Sequence, residues 1–254
     1  MVRKLAVVNQ KGGVGKTTTV FNLAAALADQ NRRVLMIDLD PQAALTASLG
    51  LDPYVLRRSS YSLLMFERTA LGRLIVHVRG RLGLVPASVD LAAVSVTLGK
   101  ARRDPYRLRE ALERSPIPFD YILIDTPPSL DILTANSMVA CTEMLLPVQC
   151  HYLAMRGVRA VLDTATRVQH VLNPNLRLLG ILPTMYREQS GHAREVLNEI
   201  RTVFPRHSFR TVVPYSDALA EAPIVNQPVM EYAPADPAAL AYRALAEEII
   251  AHER

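Results

Sequence analysis

Residues 10–19 read Gln-Lys-Gly-Gly-Val-Gly-Lys-Thr-Thr-Thr. Glycine, lysine and threonine at this spacing can hold phosphate. Gly12, Gly13 and Gly15 let the backbone, Val14 included, turn successive N–H groups inward around phosphate oxygens. Lys16 can reach the β- and γ-phosphates of a nucleotide, and the Thr17 hydroxyl can ligate Mg²⁺. A helix starting at Thr17 and Thr18 aims the positive end of its dipole at the same anion. The loop departs from the common pattern G-x-x-x-x-G-K-[ST], because Gln10 stands where the first glycine belongs. It also carries a second lysine, Lys11, which cannot easily share the place of Lys16. Lys11 is therefore expected to reach a nucleotide held by a second copy of the chain.

Two further segments supply carboxylates. In Met36-Ile37-Asp38-Leu39-Asp40-Pro41-Gln42, alternation along an extended chain puts Asp38 and Asp40 on one side. One can hold the water shell of Mg²⁺, and the other can orient or deprotonate an attacking water. An Asp-Pro turn with solvated carboxylates is the plainer reading, and the neighbouring phosphate loop argues against it. Tyr121-Ile122-Leu123-Ile124-Asp125-Thr126-Pro127-Pro128 is an apolar run ending in one Asp, a Walker B pattern. Asp125 is expected to bind Mg²⁺ through water, since this ion keeps much of its hydration. Thr126-Pro127-Pro128 is a stiff loop suited to sensing a γ-phosphate. A strand ending in Asp is common; these three segments in this order are specific.

Open α/β sheets gather such segments at the C-terminal ends of parallel strands. Strands are expected at 4–9, 33–38, 74–78, 82–86, 121–125, 143–148, 178–184 and 210–213. Helices are expected at 17–30, 60–68, 89–99, 105–114, 130–140, 154–171, 190–203, 216–221 and 236–252. The alternation predicts an α/β fold: a mostly parallel twisted sheet with helices on both faces, a P-loop domain spanning residues 1–254. The apolar runs at 33–38, 121–125 and 143–148 suit strands buried on both sides. Residues 50–118 are the hardest to assign.

Composition narrows the class. Half of the 254 residues are hydrophobic, enough for a substantial core. No run approaches the roughly 18 apolar residues of a membrane span. The chain enters a strand directly after its first residues, with no signal-peptide pattern, so a cytoplasmic protein is expected. Cys141 and Cys150 lie in apolar surroundings and are expected to be buried thiols. The net charge is +5, and only four of the 29 basic residues are lysines. Arginine binds phosphate bidentately, so the surface is compatible with nucleic acid, although a compositional bias toward arginine explains the count equally well.

The motif residues resemble a known family. Lys-Gly-Gly-Val-Gly-Lys-Thr-Thr from Lys11, Asp-Leu-Asp-Pro-Gln from Asp38 and Ile-Asp-Thr-Pro-Pro-Ser from Ile124 are similar to the ParA/Soj-type partition ATPases. So are Leu146-Pro147-Val148-Gln149 and Leu219-Ala220-Glu221-Ala222-Pro223, and the same deviant-Walker group contains MinD. The similarity runs from residue 4 to about 250 and is weakest over 50–118. The resemblance implies ATP and Mg²⁺ as cofactors, with slow hydrolysis of ATP stimulated by a ParB-like partner. It implies that Lys11 is the signature lysine, crossing to the other nucleotide of an ATP-sandwich homodimer. It makes Asp40 the residue that positions or activates water, and Asp38 and Asp125, with Thr17, the Mg²⁺ site. It places adenine near Thr184 and Val213-Pro214. It further implies that the ATP dimer binds double-stranded DNA without sequence preference and is associated with the nucleoid in the cytoplasm. No helix-turn-helix extension precedes the first strand, as in the smaller chromosomal or plasmid type.

The chain also departs from the family. Where relatives read Ile-Pro-Arg-Asn-Val-Arg, it reads Val213-Pro214-Tyr215-Ser216-Asp217-Ala218. After Thr184-Met185-Tyr186 it has Arg187-Glu188-Gln189-Ser190 in place of Asp-x-Arg-Thr. The family uses those arginines on DNA. Other basic residues lie close by: Arg187, Arg194, Arg201, Arg206 and Arg210, with His192 and His207. The spacing of seven puts Arg187, Arg194 and Arg201 roughly on one helical face, a displaced phosphate-binding surface or a plain solvated one. Three other functions compete. A ParA-like ATPase that positions a protein cargo differs only in its partner. A MinD-like membrane ATPase needs a basic amphipathic tail, whereas Ala246–Arg254 is acidic and lacks Phe and Trp, so no membrane partner is expected. A cluster-bearing ATPase like the nitrogenase iron protein needs cysteine spacing that Cys141 and Cys150 do not offer.

Overall fold

The computed structural model describes residues 2–115, 117–151 and 154–252. Seven strands form one sheet: Arg3–Val7 (β1), Val34–Asp38 (β2), Val76–Arg79 (β3), Leu82–Val85 (β4), Tyr121–Asp125 (β5), Glu143–Gln149 (β6) and Arg177–Thr184 (β7). Their order is β3-β4-β2-β5-β1-β6-β7, and all neighbours are parallel except the edge hairpin β3–β4. The helices are Lys16–Asp29 (α1), Ala44–Ser48 (α2), Ser60–Met65 (α3), Ala92–Thr97 (α4), Arg107–Arg114 (α5), Ile132–Ala140 (α6), Ala154–Val171 (α7), Gly191–Val203 (α8), Ala218–Glu221 (α9), Val229–Tyr232 (α10) and Pro237–Ala251 (α11).

Alternation assigns each strand residue to a face. Leu5 and Val7, Val34 and Met36, Tyr121 and Leu123 pack with α1 and with Tyr242, Leu245 and Ile249 of α11. Ala6, Leu35, Ile37, Ile122 and Ile124 point the other way, toward Leu133 of α6, Val158 of α7 and Leu108 of α5. Because both faces are covered, β2 and β5 are buried at every position, which is why they read as unbroken apolar runs. At the middle of the sheet Arg3 of β1 holds Glu143 of β6 through two bonds of 2.8 and 3.0 Å, and also donates to the Ile249 carbonyl of α11 at 2.7 Å. One guanidinium thus ties together two strands and a helix.

The expected strand at 210–213 is absent. Arg210 and Thr211 donate their backbone N–H groups to the Glu248 carboxylate of α11 instead of to a strand. Single bridges, Ile181 to Ser208 and Tyr186 to Pro214, and a bond of 2.9 Å from Val213 N to the Pro183 carbonyl join this segment to the sheet edge. A second correction concerns Arg187. The helix α8 starts at Gly191, with Ser190 capping it through Ala193 N–H, so Arg187 precedes the helix and does not share a helical face with Arg194 and Arg201. The region 50–118, unclear in sequence, holds α3, the β3–β4 hairpin, α4 and α5. The short helix α2 was not expected. It follows Ala43, whose φ of 51° is left-handed, and the turn brings Thr46 back over the end of β2.

Candidate active site

β1 connects through α1 to β2 on one side, and its neighbour β5 connects through α6 to β6 on the other, so a crevice opens at the C-terminal ends of this adjacent pair. The phosphate loop fills the end of β1 and runs straight into α1. Gly13 and Gly15 have φ of 71° and 89°, left-handed values that favour glycine, which explains two of the three loop glycines. Gly15 is the residue that caps α1, and it has no side-chain capping bond. The N–H groups at this helix start therefore remain available to an anion. Loop residues 11, 12 and 13 are exposed, while Val14 is buried and anchors the loop in the core.

The charged groups predicted from sequence do converge. Thr17 Oγ1 donates to Asp125 Oδ2 at 2.7 Å, joining the loop to the end of β5. The other oxygen, Asp125 Oδ1, is buried and has no hydrogen-bond partner. Asp38 is fully buried: its Oδ1 accepts from Asp40 N at 3.0 Å, and its Oδ2 accepts from Thr46 N and Thr46 Oγ1 at 3.0 and 2.6 Å. Asp40 accepts from Gln42 N at 2.9 Å and is 8% exposed. Burial pushes the Asp38 carboxyl up to about 6 against the bonds from Thr46. Burial first, and the Asp38 charge second, hold Asp125 well above the usual carboxylate range. Asp40 is raised by burial too, opposed by Gln42 and Lys16, with Asp131 adding to the rise. Burial lowers Lys16, while Asp125 and Asp40 pull it back up. Three carboxylates face one buried ammonium, a surplus of negative charge that favours a cation or protons.

This donor set fits Mg²⁺. The orphaned Asp125 oxygen and the Thr17 hydroxyl are hard oxygen ligands side by side. Among the described residues no three His, Cys, Asp or Glu side chains are arranged to hold a metal ion by themselves. That suits an ion completed by water and phosphate oxygens rather than by a protein cage.

Lys11 lies at the mouth. Its backbone N–H donates to Asn9 Oδ1 at 3.0 Å, Asn9 Nδ2 donates to the Pro147 carbonyl at 2.7 Å, and Lys11 Nζ donates to Gln149 Oε1 at 3.0 Å. Lys16 Nζ points back to the Lys11 carbonyl at 3.4 Å. The two lysines thus diverge, one into the cradle and one outward along β6. On the other side of the loop, Thr184 Oγ1 donates to the Val14 carbonyl at 2.9 Å. Thr184, Pro214, Gly15 and Thr18 line one cavity of about 190 Å³ with Tyr215 and Tyr242.

Sequence reasoning overlooked several side chains in this site. Thr46 anchors Asp38, Asn9 anchors the loop, and Asp131 both caps α6 and bears on Asp40. Only the Ser-Leu-Asp sequence before α6 carried a local signal, a capping residue. Of the arginines expected on a DNA surface, all five are exposed but each has its own setting. Arg187 stacks on the Tyr215 ring at 3.6 Å, Arg194 donates to the Glu188 carbonyl at 3.0 Å, and Arg201 donates to the Arg210 carbonyl at 3.5 Å. The Arg210 guanidinium is 3.9 Å from Glu248.

Comparison with known proteins agrees with this geometry. A family profile described as an AAA domain matches residues 2–178. The chain is 39% identical over 255 residues to the chromosome partitioning protein ParA of Caulobacter vibrioides, covering 100% of this chain and 96% of the other. It is 44% identical over 250 residues to the chromosome-partitioning ATPase Soj of Thermus thermophilus, covering 98% and 96%. Among solved structures it matches a Mycobacterium smegmatis protein described as cobyrinic acid a,c-diamide synthase, crystallised with ADP and magnesium. That match has a TM-score of 0.85 and 38% identity, and covers 99% of this chain and 95% of that one. Matched at 39% and 44% identity over nearly the whole length of both relatives, the chain belongs to the ParA/Soj family of chromosome-partitioning P-loop ATPases.

Proposed function

We propose that the protein is an ATP-driven dimerisation switch: ATP and Mg²⁺ close a homodimer, the dimer binds double-stranded DNA without sequence preference, and a ParB-like partner stimulates hydrolysis and release. The observation that carries this reading is the bond between Thr17 and Asp125, which leaves one buried carboxylate oxygen facing the phosphate loop without a partner. Mg²⁺ would neutralise charge on the phosphates and hold them for in-line attack. The chain's own residues do the rest. The N–H groups from Gly12 to Thr18 hold phosphate oxygens, and Lys16 balances charge on the terminal phosphates. Thr17 and Asp125 hold the metal side. Asp38, the other carboxylate expected at the Mg²⁺ site, accepts from Asp40 N and from Thr46 N and Oγ1, and its charge adds to the field at Asp125, which supports a place behind Asp125 at the metal side. Asp40 orients the attacking water and receives its proton. Lys11, exposed and with its ammonium resting on Gln149, crosses to the partner's nucleotide. Base recognition falls to the cavity at Thr184 and Pro214. Arg194, Arg201, Arg206 and Arg210 supply the phosphate contacts to DNA, with Arg187 at their margin.

A protein cargo in place of a replicon is the second reading, since only the partner differs. A membrane role draws less support. Tyr242, Leu245 and Ile249 of α11 are used against α1 and the sheet, and no described helix is long and apolar enough to cross a membrane.

The test uses Asp40→Ala and Lys11→Ala, each with ATP and Mg²⁺. Light scattering should find Asp40→Ala as a lasting dimer, with phosphate release lowered by at least about 10²-fold, the loss of a positioned base. Lys11→Ala should stay monomeric with little loss of ATP affinity. A strictly monomeric Asp40→Ala protein at high concentration would overturn the switch.

A further inference from the structure

The base cavity has an aromatic wall whose ring is itself held in place. Tyr215 lines the cavity and is 47% exposed. The guanidinium of Arg187 sits over one face of the ring, 3.6 Å from its centroid, well inside the roughly 6 Å range of a cation–π contact. The backbone fixes the pair. Tyr186 N donates to the Val213 carbonyl at 3.1 Å, and Tyr215 N donates to the Tyr186 carbonyl at 2.9 Å, so the turn after β7 and the segment 213–215 are locked side by side. Met185, also lining the cavity, has φ of 53°, a left-handed conformation that costs a non-glycine residue energy and that the surrounding bonds maintain. Beyond Tyr215 the chain is pinned again, because Ser216 Oγ donates to Asp236 Oδ2 at 2.9 Å. These bonds fix the backbone that carries the ring, and Arg187 covers one of its faces.

Polar atoms are scarce in this cavity. Thr184 has already given its hydroxyl to the Val14 carbonyl, Tyr242 Oη lies 3.3 Å from Thr19 Oγ1, and Val213, Pro214, Leu219 and Ala220 are apolar. A flat heteroaromatic base therefore gains here by stacking and burial more than by side-chain hydrogen bonds. Resting on the nucleotide reading above, we infer that Tyr215 is the residue through which this chain grips the base of its nucleotide, and that Arg187 is a positioning residue that holds the ring ready. Arg187 then works mainly at the base cavity rather than as a DNA contact.

Titration calorimetry with Mg²⁺ and two probes, ATP and inorganic tripolyphosphate, tests this. The phosphate loop binds both; only ATP has a base. Tyr215→Ala should weaken ATP about tenfold, the size of one lost stacking partner, and leave tripolyphosphate affinity unchanged. Tyr215→Phe should restore ATP binding, because the ring and not the hydroxyl matters. Arg187→Ala should weaken ATP by a few fold, also without effect on tripolyphosphate. The inference is overturned if Tyr215→Ala binds ATP like the unaltered protein, or if it loses affinity for both probes in the same proportion, which is loss of structure. It is also overturned if the unaltered protein binds the two probes equally well. If the unaltered protein binds neither probe, the phosphate-loop reading fails and this inference falls with it.

Discussion

Thr17 and Asp125 are 108 positions apart in the chain and 2.7 Å apart in space, and the chemistry of the molecule turns on that meeting. At the residue scale the site is a set of opposed electrostatic choices. Burial alone would neutralise Asp38, Asp40, Asp125 and Lys16. The donors on Thr46, Gln42 and Thr17 and the Lys16 charge pull carboxylates back toward ionisation, and Asp125 and Asp40 hold Lys16 toward its charged form. Repulsion among the carboxylates instead adds to burial in holding Asp38 and Asp125 up. Without a cation the carboxylates retain protons to a higher pH than ordinary ones, so the site takes up a metal ion most readily in exchange for protons. The two cysteines show the same burial effect with nothing to oppose it strongly. Burial pushes Cys150 up to about 11, and Cys141 further. A thiol is the nucleophile only after losing its proton, and an ordinary cysteine with pKa about 8.5 is partly ionised at pH 8. A disulfide dye at pH 8 should therefore label neither Cys141 nor Cys150 in the folded protein over minutes, and both after denaturation. Rapid labelling of the native protein would contradict the burial described here.

At the element scale the edge of the sheet is decided by close approach. Gly180 lies in β7 where the pairing with β6 shifts register, and a Cβ at that position would come within 2.5 Å of the Phe209 ring. The ring fills the place a side chain would take, which fastens the segment after α8 to β7. Gly180→Ala should destabilise the protein by about 1–3 kcal/mol, the usual cost of forcing a methyl group into a packed site. Thermal or denaturant unfolding measures it. Adding Phe209→Leu should recover part of the loss, since two residues in contact are coupled; independent effects would show that the clash is not the cause. The same scale explains α2. Its five residues put Leu45 into the core and bring Thr46 onto Asp38, and so determine how the β2 carboxylate is held.

At the scale of the whole molecule, charge and packing set which partners are open to it. The net charge is +5, and arginines on and after α8 form the basic margin of the structure. If the ATP-bound Asp40→Ala dimer contacts about four DNA phosphates per protomer, affinity per protomer should fall roughly 10²-fold between 50 and 200 mM salt, as displaced counterions are no longer scarce. A gel-shift or fluorescence-anisotropy series against salt measures the slope. Arg201→Ala and Arg206→Ala should each flatten it by about one unit. Binding that ignores salt would remove arginine–phosphate contact as its basis. One face of the sheet is covered by α11, which commits Tyr242, Leu245 and Ile249 to the core.

Much of this protein could be read from order along the chain. The phosphate loop, the carboxylates leaving β2 and β5, and the unbroken apolar strands are local signals, because backbone conformation, helix start and strand burial depend mostly on neighbouring residues. The mostly parallel sheet followed from the same signals, although one of the eight expected strands, 210–213, did not form. What local order could not reveal was which donors would meet which acceptors. Glu248 takes the N–H groups of Arg210 and Thr211 where a strand at 210–213 was expected, Thr46 satisfies Asp38, and Tyr215 claims Arg187 from the helix face to which its spacing had assigned it. Each of these contacts joins residues from separate elements, and their competition for buried polar groups is resolved only when the sheet and its two helical layers close together.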